Sequence, residues 1–372
     1  MKSPFFLFFF LFLSLIARST GAHPSAATAS AAHPSAANPS AANPSGANPS
    51  GAHPSGASAS ADTTLTLFGR GLYPGDDSTY ASLKTSGFST LILSSFYIHA
   101  NGEVYSGDDS KHPIISNGKY IGDKKWLKRI AALKKRSSTI KRIEILLEGR
   151  WFNQPPNTYD YILDWSDETK SFPNIVTGTS RGSTLYQLAK IFRDELKADA
   201  LCIDDESVYN SASIIKLGQM LEKINMHMTL CPFTKPTYWK EILDGSQKGL
   251  IDAIYLQCYD GGARNIPARW DSSLATTLPI HPLFLCRGSY STCAASHNGK
   301  TPTEIRTTMA HWKKEYPAMR GGAIWQVADL KAYVKMNCAL SDPSSGDATT
   351  LSQYLGELRE ALLEGLRAVI SQ

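Results

Sequence analysis

Beyond residue 62 the chain alternates two kinds of apolar pattern. Short β-rich runs occur at 65–69 (LTLFG), 88–96 (FSTLILSSF), 142–149 (RIEILLEG), 200–205 (ALCIDD), 227–233 (HMTLCPF), 252–258 (DAIYLQC), 282–287 (PLFLCR) and 322–327 (GAIWQV). Between them, apolar residues recur every three to four positions at 78–86, 125–135, 184–197, 212–224, 238–245, 264–275, 303–315 and 350–371, the spacing of helices with one buried face. This repetition predicts an α/β fold, a (β/α)8 TIM barrel over residues 62–372. A doubly wound open sheet uses the same alternation, but eight strand–helix units favour the barrel. Gly71, Gly261, Gly262 and Gly288 follow strands closely, as loops at one rim require. In such barrels the chemistry collects where the strands end C-terminally.

The first 60 residues follow neither pattern. Lys2, an apolar run from Phe5 to Ile16, and small residues at Thr20 and Ala22 predict a secretory signal over 1–22, cleaved after Ala22. The run is too short to span a bilayer core, which needs about 20 residues. Residues 23–61 repeat a degenerate pentapeptide (HPSAA, NPSAA, NPSGA, HPSGA). With no aromatic and nothing aliphatic larger than Ala, this segment cannot bury enough surface to order itself, and it reads as a disordered tether. The expected protein is therefore extracellular, with wall or surface association through the tether left open, and the barrel is expected to be a monomer.

Overall, 42% of residues are hydrophobic and 19% charged, which excludes global disorder. A net charge of +5 without a basic arm predicts no nucleic-acid partner. No stretch after the leader is apolar for long enough to cross a membrane. The six cysteines, Cys202, Cys231, Cys258, Cys286, Cys293 and Cys338, all follow the tether and include no Cys-x-x-Cys pair, so neither a metal nor a cofactor is expected. His23, His33 and His53 lie too far apart on the tether to suggest ligands. If disulfides form, Cys286 and Cys293 are placed to close a local loop.

The candidate chemistry lies at the end of the fourth strand, where residues 199–206 read DALCIDDE. Alternate side chains of a strand share a face, so Cys202, Asp204 and Glu206 are expected to project into the barrel mouth and Asp205 away from it. Two carboxylates within about 7 Å do not ionise independently. One is then held protonated beside an anionic neighbour, which is the equipment of a glycosidase.

This segment resembles glycoside hydrolase family 18, the chitinase family, whose fourth strand carries D-x-x-D-x-D-x-E. Asp199, Asp204 and Glu206 match its first, third and terminal acids, and Cys202 stands at the second. The residue before the glutamate, commonly Trp in chitinases, is Asp in some endo-β-N-acetylglucosaminidases and here is Asp205. YLQCYDGG (255–262) is similar to the family's M-x-Y-D segment, with Gln257 for Met and with Tyr259 and Asp260 in register. GGAIWQVADL (321–330) resembles the last-strand segment whose Trp, here Trp325, floors the sugar site. LLEGRW (146–151) keeps Gly149 and Trp151 of a Ser-x-Gly-Gly-Trp pattern and has Arg150 at a glycine.

The resemblance implies a retaining hydrolase of β-1,4-linked N-acetylglucosamine, in chitin or in an N-glycan core. Glu206 would be the proton donor, while Asp204 and Tyr259 would orient the substrate's own 2-acetamido nucleophile. Trp325, Asp260 and Gln257 would line the sugar site. Two other classes stay open at this point: a chitinase-like lectin, suggested by Cys202 and Arg150, and a stalked scaffold with no sugar function. Trp325 taken alone also reads as core, Arg150 and Arg287 either as binders of anionic or sugar groups or as ordinary exposed residues, and Phe96, Tyr97 and Phe233 as core or subsite.

Overall fold

The computed structural model describes residues 63–149, 157–341 and 347–368. The leader, the tether, Arg150 and Trp151 lie outside the described residues. In chain order the elements are β1 (Thr64–Phe68), α1 (Asp77–Lys84), β2 (Thr90–Ile98), β3 (Val104–Ser106), β4 (Asp109–Ser116), β5 (Lys119–Tyr120), α2 (Lys124–Leu133), β6 (Arg142–Glu148), α3 (Thr158–Trp165), α4 (Thr184–Asp194) and β7 (Ala200–Asp204). There follow α5 (Ser211–Glu222), β8 (His227–Leu230), α6 (Pro236–Gly245), β9 (Ile251–Gln257), α7 (Pro267–Leu274), β10 (Ile280–Leu285), α8 (Pro302–Glu315), β11 (Gly321–Trp325), α9 (Val327–Lys335), α10 (Cys338–Ser341) and α11 (Leu351–Arg367).

The sheet runs β1-β11-β10-β9-β8-β7-β6-β2, and β2 pairs back onto β1, closing the circle. Every one of these neighbours is parallel. The eight apolar runs are the eight barrel strands, so the barrel is correct and the open sheet is excluded.

Strand parity decides what faces where. On β7, Leu201 and Ile203 join the large core between sheet and helices, whereas Cys202 joins the barrel interior. On β9, Ile254 and Leu256 face outward and Ala253 and Tyr255 inward. The period of two therefore lifts Asp204, two residues beyond Cys202, and Gln257, two beyond Tyr255, onto the upper interior. Lower in the barrel, fully buried Glu144 of β6 accepts hydrogen bonds from Arg142 (2.6 Å), Thr229 (2.7 Å) and Tyr255 (3.0 Å). Arg142 in turn grips Asp252 of β9 through two bonds of 2.8 Å.

Three features depart from the sequence reading. An antiparallel excursion, β3 to β5, leaves the end of β2 before α2 begins. Most of β4 is half-buried or exposed, so it lacks the apolar run that marks a strand. Its signal was Asn117-Gly118, both with positive φ (50° and 67°), as a tight hairpin turn demands. Second, α3, α9 and α10 add turns of helix that the periodicity did not isolate. Third, Cys293 pairs with Cys338 rather than with Cys286, which is buried and reduced. Cys286 follows the outward-facing Phe284 on β10 and packs into the sheet–helix core, out of reach of the loop that carries Cys293. Among the described residues, no helix is long and apolar enough to cross a membrane, and no cluster of His, Cys, Asp or Glu is arranged to hold a metal.

Candidate active site

A cavity of about 490 Å³ opens at the C-terminal ends of the strands, lined by Arg70, Glu148, Asp204, Glu206, Phe233, Gln257, Tyr259, Asp260, Tyr290, Trp325 and Asp329, among others. All six site residues named from sequence, Asp204, Glu206, Gln257, Tyr259, Asp260 and Trp325, meet there.

Gln257 joins the two central acids. Its Nε2 donates to Asp204 Oδ1 at 3.0 Å and to Glu206 Oε1 at 2.9 Å, and lies 3.2 Å from the carbonyl of Cys231. Asp204 is almost wholly buried, and its own N–H donates to the Tyr159 hydroxyl. Glu206, by contrast, has protein on most sides yet exposes its surface to the cavity mouth. Burial, with the charges of Glu206 and Glu148 behind it, pushes the Asp204 carboxyl well above the usual range. Burial also raises Glu206, partly offset by the bonds from Gln257 and Asp204. Two carboxyls that share a donor, both raised, titrate as a pair rather than independently. The more open member, Glu206, is the one placed to give a proton away.

A stability consequence follows from the sign of these shifts. Asp204 binds its proton more tightly folded than unfolded, so it favours the native state at low pH. That advantage is lost as pH rises from the ordinary Asp value of about 4 through the raised one. The melting temperature of the wild type is expected to fall over this interval. Asp204→Asn is expected to flatten the fall, and scanning calorimetry at pH 4, 6 and 8 measures it; parallel curves for the two proteins would contradict the assignment.

Asp205, one residue on, does the opposite job, as its parity requires. It is buried and accepts from the N–H groups of Ser207, Val208 and Tyr209 and from the Tyr238 hydroxyl, so it fixes the loop that presents Glu206. Tyr259 and Trp325 lie stacked with ring centres 6.3 Å apart, and Trp325 also rests on Phe68 at 5.2 Å. Trp325 is half-buried, so part of its indole forms cavity wall while the rest is core. Phe233 also belongs to the wall.

Other expected residues sit elsewhere. Asp199 is not in the cavity; it starts β7 from the opposite end, bound to Lys134 and to the Ile143 N–H. Arg287 is buried 3.6 Å from Glu304 and is absent from the cavity lining. Phe96 packs outward on Trp126 and Phe192. Cys202 lies in the interior beside the Cys231 thiol, so a thiol and not a carboxyl stands two residues before Asp204 on β7.

The sequence reading missed Glu148 and Arg70, although parity marks both. Glu148 follows inward-facing Leu146 by two and pairs in register with Asp204, while Arg70 follows inward-facing Phe68 by two. Tyr97 donates to Glu148 at 2.8 Å. Glu148, Asp204, Glu206, Asp260 and Asp329 outnumber Arg70 in the lining, so the cavity repels anionic ligands.

No protein-family model matches this chain, and no curated protein matches it in sequence. Among solved structures it is similar to a fungal endo-beta-N-acetylglucosaminidase of glycosyl hydrolase family 18, with a TM-score of 0.55 and 15% identity over 80% of this chain and 98% of that one. It is also similar to a family 18 chitinase from the chitin utilization locus of Flavobacterium johnsoniae (TM-score 0.47, 13% identity, 80% and 93% covered). A further likeness is to the catalytic domain of a hyperthermophilic chitinase from Pyrococcus furiosus (TM-score 0.47, 10% identity, 81% and 96% covered). The likeness to the fungal enzyme is one of fold: both chains form a (β/α)8 barrel.

Proposed function

We propose that the protein is a secreted glycoside hydrolase that cleaves β-1,4-linked N-acetylglucosamine, in chitin or in the core of N-glycans, with retention at the anomeric carbon. The observation that carries the reading is the Asp204–Glu206 pair joined through Gln257 at the mouth of the barrel. Retaining enzymes that use a carboxylate nucleophile set their two acids on either side of the scissile bond. Asp204 and Glu206 instead rise from one strand, two residues apart, around a single amide nitrogen. As the resemblance to family 18 implies, the nucleophile is assigned to the substrate's own acetamido oxygen, and Glu148, bound by Tyr97, is left in the cavity wall.

In this scheme Glu206 protonates the glycosidic oxygen and later takes a proton from the attacking water. Asp204 stabilises the positive oxazolinium, and the Tyr259 hydroxyl holds the acetamido group against it. Holding an internal nucleophile in line removes much of the entropic barrier. The leader in the sequence and the Cys293–Cys338 disulfide support export, since disulfides persist in oxidising compartments.

The testing experiment is incubation of the purified protein with chitin oligomers and, separately, with a high-mannose glycoprotein, with released sugar followed by mass spectrometry. Cleavage of either between N-acetylglucosamine units is expected. Trp325→Ala is expected to raise KM about tenfold with a smaller change in kcat, since it removes a platform used before and during reaction; an unchanged KM would take Trp325 out of the site. A second reading, a sugar binder that does not cut, is favoured by Cys202, a thiol two residues before Asp204 where the family has an acid. Binding of oligomers without release would select it.

A further inference from the structure

The loop from Gly288 to Lys300 is built in a way that the catalytic reading does not use. Its ends meet at the top of β10, where the Lys300 N–H donates to the Leu285 carbonyl at 2.9 Å and the Arg287 N–H to the Lys300 carbonyl at 3.2 Å. Gly288 enters with φ 95°, and an added side chain there would strike Asp329 and Tyr333. The loop is tied down twice more, by the disulfide from Cys293 to Cys338 of α10 and by Asp260 at the end of β9. Asp260 spends both carboxylate oxygens on the loop: one accepts from the Tyr290 hydroxyl at 3.0 Å, and the other bonds His297 Nδ1. Asp260, which lines the cavity as read from sequence, thus also acts as a bracket for the loop.

The bracket holds up an aromatic pair. Tyr290 and His297 stack with ring centres 4.1 Å apart, and Tyr290 remains 62% exposed while forming part of the cavity wall. Tyr290 and Ser291 take positive φ (54° and 56°), a conformation side-chain-bearing residues adopt only when their surroundings impose it. A tyrosine whose hydroxyl is tied and one of whose faces is backed by another ring, with the opposite face open, presents a rigid apolar plate to whatever enters the cavity.

We propose that Tyr290, backed by His297 and bracketed by Asp260, is a second sugar platform, which stacks the pyranose ring next in line to the one over Trp325. This inference rests on the functional reading above and narrows it: the substrate is a chain that extends past the scissile unit, and the loop from Gly288 to Lys300 selects for that length. The disulfide holds the plate by fixing the loop three residues after it.

The test measures binding by calorimetry to the di- and tetrasaccharide of N-acetylglucosamine, using the full chain carrying Glu206→Gln so that ligand is not consumed. Adding Tyr290→Ala is expected to weaken the tetrasaccharide about fivefold more than the disaccharide, the scale of one ring contact. Tyr290→Phe, which keeps the plate, is expected to stay within about twofold of its parent. Replacing Cys293 and Cys338 together by Ser is expected to shift the tetrasaccharide in the same direction as Tyr290→Ala. Equal losses for both ligands, or an alanine variant indistinguishable from the phenylalanine one, would overturn the platform while leaving the functional reading standing. A parent that binds neither sugar would overturn both.

Discussion

Glu206→Gln is expected to lower the rate of oligomer hydrolysis about a thousandfold while leaving sugar binding within a few-fold of the wild type. A positioned general acid typically contributes 10² to 10⁴ in rate, and the other cavity carboxyls are engaged: Glu148 accepts from Tyr97 and Asp329 from Ser289. Asp204 is buried beneath it, and both oxygens of Asp260 are engaged by the loop. The amide keeps an oxygen to accept from Gln257 Nε2, so the cavity keeps its shape and loses only the proton. The change should appear in kcat, with KM little altered. The pH profile of the wild type follows from the same pair: activity is held as long as the pair keeps a proton and declines above the raised titration of the two carboxyls. Undiminished turnover in Glu206→Gln would remove this residue from the mechanism.

The second large effect lies at the other end of the barrel. Glu144→Ala is expected to cost about 3–5 kcal/mol, the range for removing one partner of a buried ion pair. The loss strands the Arg142 guanidinium on the side it had turned to Glu144, and leaves the hydroxyls of Thr229 and Tyr255 without their acceptor. Burial favours the protonated form of Glu144, against the attraction of Arg142. Glu144→Gln, which keeps volume and one acceptor oxygen, should therefore cost distinctly less. Thermal unfolding monitored by circular dichroism separates the two, with a fall in Tm of about 6 °C or more for the alanine variant. Equal stability of both variants with the wild type would show that the network contributes nothing to holding β6, β8 and β9 in register.

Much of this was legible in the chain because the barrel writes itself twice, once as apolar runs and once as parity within each run. Parity correctly sent Asp204 and Glu206 to the mouth and turned Asp205 away to pin its loop. The same rule, extended two residues past Phe68 and Leu146, finds Arg70 and Glu148, so those omissions were not hidden by the fold. What parity cannot see is chemistry settled between distant loops. The partners of Asp260 lie 30 and 37 residues away, on a loop joined by a disulfide to Cys338. Gln257 was placed at the sugar, but its amide is committed to the two acids, a role that only their convergence in space reveals. The β3 to β5 excursion escaped for a simpler reason, since a strand with little to bury carries no apolar period.

The most direct measurement is proton NMR of the anomeric region in the first minutes of chitin oligomer cleavage, before mutarotation. An acetamido nucleophile beside Asp204 and Tyr259, with Glu206 as acid, predicts that the first reducing sugar released is the β anomer. A first product in the α form would contradict the mechanism, and no product at all would contradict the hydrolase reading.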